Sequence, residues 1–200
     1  MEHYFTEKPA RTFKREKFDV DILGNAITIN SGSGIFSLSE IDFGTKLLIE
    51  NAKIPSDSSN VLDLGCGYGI VGIAIKKKYP QISLTMTDVN ERAIRMAKEN
   101  IKENEIEAKI LKSDVFLNPE LNDLKFDVIL TNPPFSAGKK VCIEFIKQSF
   151  DRLTPNGLFQ LVAPHNKGGE SLKKIMLSVY GNVGELVKKR GYRVYISVKK

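Results

Sequence analysis

The pattern of apolar and polar positions divides the chain into strands and helices that alternate. Short runs rich in Val, Ile and Leu indicate buried strands, and longer segments with apolar residues about 3.6 positions apart indicate helices. The predicted strands are residues 60–64, 82–87, 108–112, 126–130, 158–163, 183–189 and 192–198. The predicted helices are residues 42–53, 70–79, 91–104, 139–153 and 169–180. This alternation predicts an α/β fold with a doubly wound, mostly parallel sheet of about seven strands and helices on both faces.

The two ends of the chain depart from this alternation. The last two strands are joined by Arg190 and Gly191, which predicts an antiparallel terminal hairpin. Residues 25–30 alternate between apolar and polar side chains and predict a short, half-buried strand before the main fold. We therefore expect a short N-terminal extension over residues 1–58, with a strand and a helix, followed by the main domain over residues 59–200.

Composition indicates an ordinary globular domain. The chain has 200 residues, of which 42% are hydrophobic and 27% charged. No apolar run approaches the ~20 residues of a membrane helix, and residues 1–17 lack the apolar segment of a secretory signal. Cys66 and Cys142 are the only cysteines and do not predict a disulfide framework. We expect a cytoplasmic protein, monomeric or weakly dimeric, with no membrane contact and no metal.

The net charge of +6 is unevenly distributed. Residues 186–200 contain basic side chains and no acid. Such a segment favours a polyanionic partner such as RNA or DNA. Lysines at the edge of a sheet also prevent the addition of foreign strands, and this second interpretation stays open.

The sequence Asn132-Pro133-Pro134-Phe135 ends one of the predicted buried strands. Proline has no backbone N–H to donate, so the strand has to stop there. The result is a rigid turn with a polar amide followed by an aromatic ring. Oδ1 of Asn132 and the carbonyl of Pro133 can accept hydrogen bonds from an amine, while Phe135 can stack on a flat ring. The motif predicts a clamp for a planar group that carries an amino substituent.

A glycine-rich turn follows the strand at residues 60–64. It consists of Gly65, Cys66, Gly67, Tyr68 and Gly69. Glycines permit a tight turn and let a ligand approach the backbone, and the helix that follows offers unpaired N–H groups at its first turn. The turn therefore predicts a ligand site.

Two acids decide which ligand this turn favours. Asp88 ends the next strand, where a carboxylate can accept hydrogen bonds from both hydroxyls of a ribose. Asp63, at the end of the first strand, would repel a pyrophosphate and favour a cation. Residues 67–72 match the dinucleotide pattern G-x-G-x-x-G, but the match is displaced from the strand end. The site therefore favours S-adenosyl-L-methionine, which carries a sulfonium and an ammonium group.

A third acid, Asp114, follows the strand at residues 108–112. It can accept a hydrogen bond from an adenine amino group, since ligands of open α/β sheets bind at the carboxyl ends of strands. The alternative role is a local turn cap. His165 also follows a strand end, and we interpret it as a surface residue with a possible substrate contact.

These motifs together resemble class I S-adenosylmethionine-dependent methyltransferases. Residues 63–69 resemble their first motif, Asp88 and Asp114 their acids, and residues 132–135 their fourth motif. Residues 31–48 resemble the upstream segment of the ribosomal RNA small-subunit guanine-N2 methyltransferase family. The matching positions are Gly34, Phe36, Ser37, Asp42, Gly44 and Thr45. Residues 191–194 are similar to short archaeal stand-alone members.

The resemblance implies a strand order of 3-2-1-4-5-7-6 and S-adenosyl-L-methionine as the cofactor. It implies further cofactor contacts from Phe36, Thr45, Val89, Val115 and Asn132. Two features depart from the bacterial family. Ser136 stands where a histidine is common, although Gly138 matches, and we expect no counterpart of the family's duplicated N-terminal half.

The resulting hypothesis is methyl transfer to an exocyclic amino nitrogen, most specifically guanine N2 in ribosomal RNA. The alternatives are a protein glutamine-N5 methyltransferase and an adenine-N6 methyltransferase acting on RNA or DNA. An NAD-dependent oxidoreductase is disfavoured by Asp63 and by the lack of a catalytic histidine, Tyr-Lys pair or metal set. An RNA-binding module without activity is disfavoured by the intact Asp63, Asp88 and Asn132.

Overall fold

A computed structural model describes residues 15–32 and 40–200. The strands are β1 Arg15–Ile22, β2 Asn25–Gly32, β3 Asn60–Leu64, β4 Ser83–Asp88, β5 Lys109–Lys112, β6 Phe126–Thr131, β7 Leu153–Pro164, β8 Gly184–Lys189 and β9 Tyr192–Val198. The helices are α1 Phe43–Asn51, α2 Ile70–Lys78, α3 Glu91–Glu103, α4 Lys139–Arg152 and α5 Gly169–Tyr180. No helix in these described ranges is long and apolar enough to cross a membrane.

The main sheet has seven strands in the order β5-β4-β3-β6-β7-β9-β8. Strands β3 to β7 are parallel, and β9 is antiparallel to both β7 and β8. Counted from β3, this order is 3-2-1-4-5-7-6 with a terminal hairpin, so the predicted fold class is confirmed. The order reverses between β3 and β6, and ligands of such sheets bind beside this reversal, at the carboxyl ends of the strands.

The core lies in two layers, one on each face of the sheet. Successive side chains of a strand point to opposite faces. Accordingly, Val128 and Leu130 of β6 belong to the cluster that includes helix α2, whereas Ile129 between them belongs to the cluster that includes α4 and α5. All three side chains are fully buried. The two packed layers hold the strand ends, and therefore the site, in a fixed arrangement.

Many element boundaries differ from the prediction by one or two residues, and the start of β7 differs more. Strand β7 begins at Leu153, where we predicted the end of a helix and then a turn before residue 158, because Leu153 already pairs with Phe126 of β6. The register of this pair of strands then shifts between Phe126 and Val128. Helix α1 ends at Asn51, before the predicted residue 53.

An N-terminal hairpin joins β1 to β2, and only β2 was predicted. The two strands pair antiparallel along their whole length. In β1, Phe18, Val20 and Ile22 face inward, while the alternate positions are polar and exposed. Ion pairs of 3.2 Å between Arg15 and Glu99 and of 2.8 Å between Lys17 and Glu103 connect the outer strand to α3.

Buried asparagines of α3 fix this hairpin to the glycine-rich turn. Nδ2 of Asn100 donates to the carbonyls of Asn30 at 2.8 Å and Tyr68 at 2.9 Å. Its Oδ1 accepts the N–H of Asn30 at 2.7 Å. One turn later, Oδ1 of Asn104 accepts the N–H of Thr28. The hairpin therefore packs against the main fold, and the proposed domain boundary at residues 58–59 stays a prediction.

Candidate active site

Two cavities lie at the carboxyl ends of β3, β4, β5 and β6, beside the reversal of strand order. The larger has a volume of about 200 Å³ and is lined by Leu64, Gly65, Thr87, Asp88, Val89, Ser113, Asp114, Val115, Asn132, Pro134, Ala137, Val141 and Phe145. The smaller has a volume of about 50 Å³ and includes Thr45, Asp63, Cys66, Gly67 and Tyr68. Gly65, Asp88 and Asn132 line both. The structure therefore brings the predicted glycine turn, acids and amide together.

Strand β4 fixes the glycine-rich turn. The N–H groups of Gly65 and Cys66 both donate to the carbonyl of Thr87 at 2.8 Å. Gly69 has a φ of +94°, and a Cβ there would lie 2.5 Å from Cε of Met86. A larger residue at position 69 would therefore meet both backbone strain and the buried methionine.

Most of the expected free N–H groups of this turn are already used. Gly67 donates to Oδ2 of Asp88, Gly69 to the carbonyl of Cys66, and Gly72 to Oδ2 of Asp63. The predicted set of donors is therefore reduced: at the first turn of α2, Asp63 accepts the N–H of Gly72. A pyrophosphate would find carboxylates here instead of donors, which disfavours a dinucleotide.

Asp63 is almost completely buried, with 2% of its surface exposed. Burial raises the pKa of Asp63 to about 7, the hydrogen bond of 2.9 Å from Gly72 opposes that rise, and the charge of Asp88 adds to it. A buried carboxylate with a single donor among the described residues is poorly neutralised. The smaller cavity therefore has the electrostatic character of a site for a cationic group.

Asp88 lies between the two cavities. Its Oδ1 accepts the N–H of Asn90 and its Oδ2 accepts the N–H of Gly67, both at 2.8 Å. Enclosure by the surrounding protein raises the pKa of Asp88, and these backbone bonds oppose the rise. The backbone of Val89 also hydrogen-bonds to this carboxylate, so three backbone groups fix its position. The carboxylate is thus held rigidly where it can accept bonds from two hydroxyl groups.

Val89, Asp114 and Val115 form the far wall of the larger cavity. Asp114 is exposed, whereas Val115 is 8% exposed. Val115 has a φ of +49°, a left-handed conformation that is unusual for a β-branched residue. This part of the cavity combines apolar walls with a single carboxylate, which suits a flat heterocycle with an amino group.

The side chain of Asn132 is oriented by helix α1. Its Nδ2 donates to Oγ1 of Thr45 at 2.9 Å and lies 3.5 Å from Oδ2 of Asp42. Asp42 in turn caps α1 by accepting the N–H groups of Gly44 and Thr45. Within residues 15–32 and 40–200, no hydrogen bond reaches Oδ1 of Asn132. Thr45 therefore contacts this amide, while Phe36, the other predicted residue of the same segment, lies outside the described residues.

The two prolines and Phe135 form a tight turn after Asn132. Pro133 is buried and lines neither cavity. Its carbonyl accepts the N–H of Phe135 at 2.9 Å, so a contact of its second lone pair with a ligand stays a prediction. Pro134 lines the larger cavity. Phe135 lines neither cavity; its ring is half-buried and lies against Gly168, after β7. Stacking of Phe135 on an acceptor ring stays a prediction.

Several residues of the site were not found from the sequence. Val141 and Phe145 of α4 line the larger cavity, and their apolar character is the same as that of core residues.

The half-buried His165 contacts the hydroxyl of Tyr195 through Nδ1 at 2.7 Å. In the part of the chain that the structure describes, no three His, Cys, Asp or Glu side chains are grouped as a metal site would require.

Comparisons with known proteins agree with this geometry. A family model described as Methyltransferase small domain matches residues 26–196. The uncharacterized protein YbxB of Bacillus subtilis (strain 168) is 36% identical over 200 residues, covering 100% of this chain and 98% of that protein. Ribosomal RNA small subunit methyltransferase C of Pasteurella multocida (strain Pm70) is 40% identical over 141 residues, covering 68% of this chain and 42% of that protein.

A solved structure extends the likeness. The T. thermophilus 16S rRNA N2 G1207 methyltransferase (RsmC), in complex with AdoMet and guanosine, superposes with a TM-score of 0.81 at 25% identity. The match covers 96% of this chain and 52% of the T. thermophilus chain. This chain thus spans about half or less of the length of these two rRNA methyltransferases. On the family match and the geometry of the site, the chain belongs to the methyltransferase small domain family and is an S-adenosyl-L-methionine-dependent methyltransferase.

Proposed function

We propose that this protein transfers a methyl group from S-adenosyl-L-methionine to the exocyclic nitrogen N2 of a guanine in ribosomal RNA. The observation that carries this proposal is the orientation of Asn132. Its Nδ2 is bound to Thr45, and its Oδ1 has no partner in the described part of the chain, at a position that borders both cavities. An oriented, unpaired acceptor of this kind suits an incoming amine.

The residues around the larger cavity fit the nucleoside part of the cofactor. We assign the two ribose hydroxyls to Asp88, whose oxygens are fixed by Gly67 and Asn90. Asp114 accepts the adenine amino group, and Val89 and Val115 enclose the ring.

The smaller cavity fits the amino acid part. The ammonium group of the cofactor is assigned to the region of Asp63. Gly65, Cys66, Gly67 and Tyr68 line this cavity, and the two glycines allow a close approach of the ligand to the backbone. Gly69 does not line it, so its assignment rests on the resemblance alone. Thr45, which lines this cavity, is assigned to the same ligand, and Phe36 is assigned with it on the resemblance alone. The bound cofactor supplies an activated methyl group on a sulfonium with a neutral leaving sulfide.

The acceptor amine is the more demanding partner, because the lone pair of an amino group on guanine is conjugated with the ring. Oδ1 of Asn132 accepts one N–H of this amine, and the remaining lone pair of the Pro133 carbonyl accepts the other. Two acceptors fixed by a rigid turn hold the nitrogen with its lone pair directed at the methyl group. A strong general base is unnecessary, since the amine proton becomes acidic only after the methyl group is attached.

Nucleoside mass spectrometry tests the reaction and the substrate together. Purified protein is incubated with labelled cofactor and small-subunit ribosomal RNA, and the RNA is digested to nucleosides. We expect label in N2-methylguanosine. Label in N6-methyladenosine, or label recovered only in glutamine of a protein substrate, would replace the proposed acceptor by one of the two alternatives.

Asn132→Ala tests the clamp. The substitution removes an acceptor for the target amine and leaves the residues assigned to the nucleoside unchanged. We expect turnover to be lost while the dissociation constant for S-adenosyl-L-methionine, measured by calorimetry, changes less than threefold. If turnover survives, Asn132 is not the acceptor for the amine.

A further inference from the structure

The carboxyl edge of the sheet is divided by charge at strand β6. On the side of β3, β4 and β5, the side chains that line the cavities include Asp63, Asp88 and Asp114. On the side of β7, β9 and β8, the edge carries cations. These cations, which we call the basic rim, are Lys139, Lys140, Lys167, Lys188, Lys189 and Arg190, and all are exposed. The motif at residues 132–135 lies where the two halves meet.

The topology places the basic rim at the same edge as the cavities. Lys139 and Lys140 begin α4 just after the motif, and Lys167 follows the carboxyl end of β7. Strand β8 is antiparallel to β9, and β9 is antiparallel to β7, so the β8–β9 turn also lies at this edge. The N–H of His165 donates to the carbonyl of Gly191 at 2.8 Å, which fixes this turn to the end of β7.

The β8–β9 turn is also held against the start of α1. The guanidinium of Arg190 lies 5.2 Å from the ring centroid of Phe43, and this ring contacts Tyr192 edge to face at 5.5 Å. Phe43 is the first residue of α1, which orients Asn132 through Thr45. The basic rim is therefore a fixed surface beside the amide of the clamp.

The acids close to the basic rim already have partners. Glu185 is paired with Lys173 at 2.7 Å and with Arg193 at 2.9 Å. Glu170 is paired with Lys174, and Glu144 accepts a hydrogen bond from Gln148. Among the described residues, no ion pair to an acid reaches the cations of the basic rim. Its charge is therefore available to an external anion.

Protection of an exposed sheet edge does not account for this arrangement. Lys188 and Lys189 lie on β8, which is an edge strand, and fit that role. Lys139, Lys140 and Lys167 lie on a helix start and a connection beside the central strands, where no strand can be added. These three lysines share two features with the lysines of β8. They lie away from Asp63, Asp88 and Asp114 along the carboxyl edge of the sheet, and they surround the side of the cavities where the acceptor would enter.

We propose that the basic rim binds the phosphates of single-stranded RNA on both sides of the target nucleotide. This inference rests on the proposed function, because it takes a nucleotide as the group that enters at Asn132. A base in a duplex cannot reach such a cavity, so the strand has to be single or locally opened. The half-buried ring of Tyr192, which lies among these cations, offers a face on which a flanking base stacks.

Binding of a single-stranded RNA dodecamer that contains guanine tests this surface. Fluorescence anisotropy is measured over a series of salt concentrations for the wild type and for the triple variant Lys167→Gln, Lys188→Gln, Lys189→Gln. The matched control is Lys78→Gln, Lys102→Gln, Lys147→Gln, which removes the same charge from exposed lysines on α2, α3 and α4, with no ion pair in the described part of the chain. A third variant replaces the three rim lysines by arginine.

We expect the rim variant to bind at least tenfold more weakly than the control at low salt. The slope of log K against log salt should fall by about 0.7 for each lost phosphate contact, or by about 2 for three contacts. The arginine variant should bind as the wild type does. Equal binding by the rim and control variants, or absence of RNA binding by the wild type, would overturn the proposal. So would polyglutamate that competes as well as the RNA, because the surface would then suit an acidic protein.

The test of RNA binding can succeed or fail independently of the test of the proposed methyl transfer. Nucleoside analysis of the methylated RNA reports the reaction, whereas anisotropy reports only the contact with phosphates. RNA binding that depends on the basic rim, with no N2-methylguanosine formed, would retain the surface and reject the reaction. Thermal unfolding and cofactor calorimetry on each variant confirm that the fold is intact.

Discussion

Nδ2 of Asn132 donates to Oγ1 of Thr45 across 2.9 Å, which connects the end of β6 to the first turn of α1. The carboxylate of Asp42, 3.5 Å from the same nitrogen, favours the same orientation of the amide, since a carboxylate only accepts hydrogen bonds. Through this contact, a residue of the upstream segment sets the orientation of the amide at the motif. Thr45 is a positioning residue for the amide in addition to lining the smaller cavity.

The substitution Thr45→Val removes this hydroxyl with little change of volume. We expect kcat to fall about tenfold to a hundredfold, because Nδ2 of Asn132 loses its nearest acceptor and the amide is free to rotate. The dissociation constant for S-adenosyl-L-methionine should change less than fivefold. Steady-state kinetics and calorimetry measure the two effects separately.

Thr45→Ser is the matched control, since it keeps the hydroxyl and removes only a methyl group. Its kcat should stay within about threefold of the wild type. If the serine variant is as impaired as the valine variant, packing of the methyl group is the cause and the hydrogen bond to Asn132 is unimportant.

The close approach of Gly69 to Met86 leads to a prediction about stability. Gly69 and Gly67 both have positive φ, so alanine is strained at either position by about 1–2 kcal/mol. A Cβ at Gly69 would also lie 2.5 Å from the buried Met86, whereas a Cβ at Gly67 would meet nothing within 4 Å. Gly69→Ala should therefore lower the free energy of unfolding by about 1–3 kcal/mol more than Gly67→Ala does.

Denaturant unfolding of the two alanine variants without ligand measures this difference. The double variant Gly69→Ala, Met86→Ala serves as a control, because it removes the methionine that the new Cβ would meet. An equal loss of stability in the two single variants would show that backbone conformation alone determines the requirement for glycine at position 69.

The main sheet and the acids of the site were predictable because both follow from local pattern. Short runs of apolar residues that alternate with segments of helical period predict a parallel sheet covered by helices. Asp63 and Asp88 lie at or near strand ends, and strand ends meet at one edge, so their proximity follows from the fold itself. The hairpin of β1 was missed since its inward positions, including Phe18 and Val20, are separated by charged residues that resemble a polar segment.

Contacts between segments that are distant in the chain could not be predicted from the sequence. Asn100 of α3 and Asn104, which caps the end of that helix, lie one turn apart and are buried, which is a detectable irregularity on an apolar face. Their partners Asn30 and Thr28 are far away in the chain. The carbonyl of Thr87, which accepts two N–H groups of the glycine turn, cannot be identified from residue type because every residue has a carbonyl.

Asp88→Asn tests the assignment of the ribose hydroxyls. The amide keeps the size of the side chain but loses the charge and one acceptor, so we expect cofactor affinity to fall by about 1.5–3 kcal/mol for each charge-assisted bond lost. Calorimetric titration measures the change. Asp114→Asn is a useful comparison, because Asp114 is exposed and a substitution there should cost less. An unchanged affinity in the Asp88 variant would contradict its role.

The buried Asp63 predicts a pH dependence of cofactor binding. Burial raises its pKa to about 7, so in the free protein the carboxyl is mostly protonated below pH 7 and mostly ionised above it. The ionised form attracts a cationic ligand, so the affinity for S-adenosyl-L-methionine should rise as pH increases through about 7 and then level off. Asp63→Asn keeps an acceptor for the N–H of Gly72 and removes the titrating group.

Calorimetric titrations between pH 6 and 8 in buffers of different ionisation enthalpy test this prediction. The wild type should release a proton on binding near pH 6, where the free carboxyl still holds one and the ammonium group favours its loss. Without ligand, its stability should fall as pH rises from about 4 to about 7, because the folded protein holds this proton more tightly than the unfolded chain does. The Asp63→Asn variant should show weaker binding, no release from this site and a flatter stability profile. The same pH dependence in the variant would assign the titration to another group, and an unchanged affinity would contradict a part for Asp63 in cofactor recognition.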